Sequence, residues 1–62
     1  MSDLAELQKE KADLLTLRAD ILERAIFKKR IGQATTWEEI DSVEVEQRIA
    51  SIEARIVEAM RK

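Results

Sequence analysis

The chain has 62 residues, of which 39% are charged, and its net charge is −2. It contains no Cys and no His, which excludes a disulfide framework, a Cys/His zinc site and catalysis by the commonest bases and nucleophiles. A chain this short buries only about 60% of the surface that its unfolded form exposes, so we expect self-association or docking onto a partner to add stability.

The composition predicts long helices. There is no proline, and Gly32 is the only glycine, while helix-forming residues such as Ala, Leu, Glu, Lys and Arg are abundant. Uncharged runs are far shorter than the roughly 18 residues that would span a bilayer, and the first residues do not resemble a signal peptide. We therefore expect a soluble protein that is made in the cytoplasm and does not associate with membranes.

A first helix is predicted over about residues 3–30. It begins with an acidic variant of the capping box, Asp3 with Glu6, and Ser2 is a competing cap. Lys11 and Arg18 interrupt the apolar stripe at heptad-like positions, where their aliphatic stems can cover apolar surface. The stripe has helical spacing and comprises Leu4, Leu7, Leu14, Leu17 and Ile21, widened by Leu15, Leu22, Ala25 and Ile26.

Charge and glycine mark the end of this helix. Lys28, Lys29 and Arg30 lie in its last turn, where cations oppose the negative end of the helix dipole. Gly32 follows at the position where a left-handed residue commonly terminates a helix.

A connector is predicted over about residues 31–42. Thr36 begins a capping box with Glu39, which predicts a single helical turn over 37–40. A second cap at Asp41 or Ser42 predicts a bend before the last helix. A strand over 34–37 is the alternative, because Thr-Thr-Trp favours extended structure.

The last helix is predicted over about residues 43–61 and has the clearest amphipathic pattern. Its apolar residues are spaced four and three apart, and they are Val45, Ile49, Ile52, Ile56 and Ala59. The predicted fold is therefore a single all-α domain, an antiparallel hairpin of two unequal amphipathic helices that forms oligomers. The shorter second helix would leave one end of the first without a partner in the same chain.

Two polar motifs near the connector have competing interpretations. Glu38 and Glu39 could form a metal pair, but acids at a helix N-terminus are favoured by the dipole alone, and we favour that explanation. The basic cluster Lys28–Arg30 could contact phosphate or an acidic partner, but it too is explained by its place at a helix end. We therefore predict no catalytic, cofactor or metal site, no small-molecule substrate and no nucleic-acid partner.

The two aromatic residues, Phe27 and Trp37, flank the connector. We expect them to close the turn end of the core, and the alternative is that they anchor a protein partner, as tryptophans at interfaces often do. The residues predicted to form interfaces combine the connector with the seam of the last helix, and they are Phe27, Lys28, Lys29, Arg30, Trp37, Ile40, Val45, Ile49, Ile52 and Ile56.

The second half of the chain carries a family resemblance. The segments 35–41 (TTWEEID) and 48–56 (RIASIEARI) resemble the end of small phage head–tail joining, or head completion, proteins of the gpW-like type. The spacing of Leu4, Leu7 and Leu14 resembles their first helix. Those proteins carry a β-hairpin between the helices, for which this connector is too short.

The resemblance implies a non-enzymatic virion protein that forms a ring of copies between portal- and tail-type proteins. The alternative is a free-standing coiled-coil or four-helix-bundle adaptor or regulator, located in the cytoplasm, that binds another protein.

Overall fold

The computed structural model describes residues 3–61, which form two helices. Helix α1 spans Asp3–Arg30 and helix α2 spans Thr36–Arg61. The helices pack against each other along their length as an antiparallel hairpin, and the described residues contain no strand. This confirms the predicted all-α hairpin and excludes the strand considered for 34–37.

One seam joins the two helices. Throughout 3–61, the residues that are buried or half-buried recur at alternating spacings of three and four, the repeat of a coiled coil. In α1 the seam consists of Leu4, Leu7, Lys11, Leu14, Arg18, Ile21, Ala25 and Lys28. From residue 35 through α2 it consists of Thr35, Glu38, Ser42, Val45, Ile49, Ile52, Ile56 and Ala59.

The centre of the seam is apolar. Ile21, which is 2% exposed, packs with Val45 and Ile49, and Leu14 packs against this cluster. Lys11 and Arg18 occupy seam positions but remain half-exposed, as expected for long side chains that bury their stems. Leu17, predicted to belong to the stripe, lies outside the seam and is exposed, because the repeat places Arg18 there instead.

Helix α2 is longer than the sequence indicated. It runs from Thr36 without the predicted bend at Asp41–Ser42, and its 26 residues nearly match the 28 of α1. The predicted bend was wrong because Ser42 faces the seam, and a break there would separate Glu38 from Val45 in the packed repeat. The N-terminal part of α1 is therefore partnered by the end of α2. The predicted cap Ser2 lies outside the described residues.

The turn is built from local backbone bonds. Gly32 has a positive φ of 76°; its N–H donates to the Lys29 carbonyl, and the Gln33 N–H donates to the Lys28 carbonyl. This pair of bonds is the Schellman motif, with Gly32 in the left-handed position. Thr35, rather than the predicted Thr36, directly precedes α2, and its carbonyl accepts the first helical bond from Glu39.

Replacing Gly32 tests the turn. Gly32→Ala should lower the free energy of unfolding by about 1 kcal/mol, because a β-carbon disfavours the left-handed conformation. A β-carbon there would meet no atom within 4 Å, so the loss reports the backbone alone. Urea denaturation followed by helix ellipticity measures it.

Ala34→Gly is the matched control outside the left-handed position. Gly32→Asn should lower the free energy of unfolding less than Gly32→Ala does, because asparagine also occurs in the left-handed position. An unchanged denaturation midpoint in Gly32→Ala would contradict the assigned turn.

Candidate functional site: the hairpin turn

A partly buried ion pair ties the two helices together beside the turn. Lys28 Nζ donates to both carboxylate oxygens of Glu38, at 3.0 and 2.8 Å. Glu38 is only 7% exposed although it is charged. Both residues hold seam positions, so the pair replaces an apolar contact in the last layer before the connector.

The ion pair lowers the pKa of Glu38. The largest cause is the hydrogen bond from Lys28, which favours the carboxylate; burial acts in the opposite direction, and the charges of Lys28 and Arg24 add smaller lowering effects. The group is therefore held charged in the folded chain.

The pair also limits what the turn can do chemically. Glu38 is occupied by Lys28, and residues 3–61 contain no group of three or more metal-ligating side chains. Of the basic cluster, Lys28 points into the hairpin, whereas Lys29 and Arg30 are exposed.

The turn exposes four large apolar side chains, which we call the turn patch: Phe27, Ile31, Trp37 and Ile40. Each is more than half exposed, with Trp37 at 72% and Phe27 at 62%. The expectation that the two aromatics close the core was wrong, because neither occupies a seam position. Both lie on the outer surface of their helices.

The remaining predicted interface residues divide by location. Val45, Ile49 and Ile52 are buried in the seam, and Ile56 is half-buried there. Their apolar surface is thus used within the hairpin. Ile31 was not singled out from the sequence, although its place directly before Gly32 could have marked it as a turn residue.

Comparisons with protein-family models, with curated proteins and with solved structures found no match to this chain. Neither helix, within residues 3–61, has a stretch long and apolar enough to cross a membrane.

The ion pair predicts an acid-sensitive contribution to stability. Because the folded-state pKa of Glu38 lies below its ordinary value of 4.5, the stabilisation is present above about pH 4.5 and is lost as the pH falls through the folded-state pKa. Glu38→Gln should therefore be less stable than the natural chain at pH 7, and the difference should shrink under acid. Urea midpoints measured between pH 7 and pH 3 give both curves.

Glu58→Gln is the matched control, because it changes the net charge equally on an exposed part of α2. If Glu38→Gln and Glu58→Gln show the same pH dependence, the ion pair does not stabilise the fold.

Proposed function

We propose that this chain is a non-enzymatic structural protein that docks onto another protein through the turn patch. The observation that carries the proposal is the exposure of Phe27, Ile31, Trp37 and Ile40 around one five-residue connector. Large apolar side chains exposed at one end of a small protein mark interaction sites, and tryptophan is over-represented among interface hot spots.

The turn presents these side chains on an ordered backbone. The Schellman bonds at Gly32, the start of α2 at Thr35 and the Lys28–Glu38 pair fix the geometry of the turn. A site that is ordered before binding loses less conformational entropy when the partner arrives. The exposed Lys29 and Arg30 supply a polar rim beside the patch.

The favoured setting is the virion, as a head–tail connector component that assembles as a ring with portal- or tail-type proteins. The support is the resemblance of 35–41 and 48–56 to gpW-like proteins, together with the small size and the helical hairpin.

The second setting is a free-standing adaptor or regulator in the cytoplasm. One observation favours it: residues 31–35 form a tight turn without a strand, whereas gpW-like proteins have a β-hairpin between their helices. The mass of the native assembly distinguishes the two settings. A connector is recovered as a ring bound to portal- or tail-type proteins, and an adaptor as a small discrete complex without them.

Photocrosslinking tests the docking surface. A photoreactive residue at Trp37, in cells that naturally make the protein, should crosslink to a protein partner, and the same residue at Glu58, which is exposed but remote from the turn in α2, should not. The amount of partner that co-purifies with the double variant Phe27→Gln/Trp37→Gln should then be at least about tenfold lower than with the natural chain.

The double variant should retain the stability of the natural chain within about 0.5 kcal/mol, because both side chains are mostly exposed. Equal crosslinking from positions 37 and 58, or full retention of the partner by the variant, would show that the patch is not the docking site.

A further inference from the structure

Helix α1 carries a second apolar stripe that the hairpin does not cover. Each of its residues directly follows a seam residue in the sequence, so the stripe has the same spacings of three and four. All of its residues are exposed in the described structure, and six of the eight are apolar. We call it the outer stripe: Ala5, Gln8, Ala12, Leu15, Ala19, Leu22, Ile26 and Lys29. It extends along nearly the whole of α1.

The spacing of the outer stripe specifies what can cover it. Its apolar residues keep the spacings of three and four without interruption from Ala12 to Ile26, a pattern suited to packing against another helix. Helix α1 of a second copy, with 28 residues, is long enough to cover it.

The outer stripe is complementary to itself when two copies of α1 run antiparallel. With a two-fold axis beside residue 17, Ala12 faces Leu22 of the second copy and Leu15 faces its Ala19, and the symmetry repeats both pairs. In these central layers each large side chain meets a small one, which is how facing helices interdigitate without voids; in the outer layers Ile26 faces Gln8 and Lys29 faces Ala5. A two-fold interface requires such self-complementarity.

Charge supports the same antiparallel arrangement. On one flank of the stripe, Lys9 comes diagonally opposite Glu23 of the second copy, twice per dimer, whereas on the other flank the two Arg18 residues come opposite each other once. The acidic first turn of α1, with Asp3 and Glu6, lies beside the basic last turn of its mate, which contains Lys28, Lys29 and Arg30. A parallel arrangement would instead bring like charges together at both ends.

The acidic residues of α2 argue against other occupants. In an antiparallel hairpin, the residues that directly follow seam residues lie on the same side of the molecule in both helices. Glu39, Glu46 and Glu53 hold such positions in α2, so they border the outer stripe of α1. This acidic row disfavours anionic lipid headgroups. The same side of α2 also carries Val43, Ala50, Val57 and Met60, but the acids interrupt this apolar surface, so the dry contact is centred on α1.

We propose that two copies of this chain associate through the outer stripe of α1, antiparallel, to form a four-helix dimer. The turn patches then lie at opposite ends of the dimer, free to bind partners. This dimer does not depend on the proposed docking function, because it uses none of the turn-patch residues.

Sedimentation of the full chain is the first test. The natural chain should be a dimer, and Leu15→Glu/Leu22→Glu should raise the dissociation constant at least about 100-fold, because each substitution places a charge in the dry contact. Phe27→Gln/Trp37→Gln is the control and should remain dimeric. A natural chain that is monomeric up to roughly millimolar concentration overturns the proposal, as does a Leu15→Glu/Leu22→Glu variant that associates normally.

Charge reversal tests the flank without altering apolar surface. Lys9→Glu should weaken dimerisation by about fivefold, because two exposed ion pairs become repulsive. Lys9→Glu/Glu23→Lys should restore it. Failure of the second substitution to rescue the first excludes this register.

Disulfide trapping tests the orientation, since the chain has no cysteine of its own. An equimolar mixture of Ala5→Cys and Lys29→Cys should yield the mixed disulfide under mild oxidation. Each variant alone should stay reduced, because its cysteines would lie about 36 Å apart in the antiparallel dimer. Self-linked dimers of either variant would instead demonstrate a parallel arrangement.

Discussion

A single seam between two helices is the contact on which the whole structure depends. The molecule measures 49 × 16 × 11 Å, so its smallest dimension is about the diameter of one helix. A layer this thin has no interior beyond the seam, and among the apolar residues within 3–61 only Ile21, Val45, Ile49 and Ile52 are buried. The other large apolar side chains in this range are at least partly exposed, and they supply the surfaces for association.

Polar residues within the seam give the hairpin its alignment. The Lys28–Glu38 pair joins the helices in the layer nearest the turn, and Lys11 reaches Glu53 at 3.8 Å further along. Sliding one helix by a heptad would leave Glu38, which is 7% exposed, without its cation, which is unfavourable. Apolar layers alone tolerate such shifts more readily, so the Lys28–Glu38 pair favours one register over its neighbours, and the exposed Lys11–Glu53 pair adds little to it.

Much of this architecture could be predicted from the sequence, because it follows from local rules. The repeat of Val45, Ile49, Ile52 and Ile56 predicted α2's buried face, and Gly32 after three cations predicted the end of α1. The start of α2 could not be predicted, because Thr36, Asp41 and Ser42 are all acceptable caps and only packing against α1 selects among them. The exposure of Phe27 and Trp37 likewise depends on seam geometry, which composition does not reveal.

The left-handed residue at Gly32 also decides the topology of the chain. With helical dihedral angles throughout residues 31–35, α1 and α2 would merge into one straight rod about 90 Å long. Its seam could be satisfied only by exchanging halves with another chain, which is domain swapping. The intramolecular hairpin, roughly half that length, is retained because glycine adopts the reversing conformation without strain. The φ angle of Gly32 thus sets the length of the molecule and keeps both sides of the seam within a single chain.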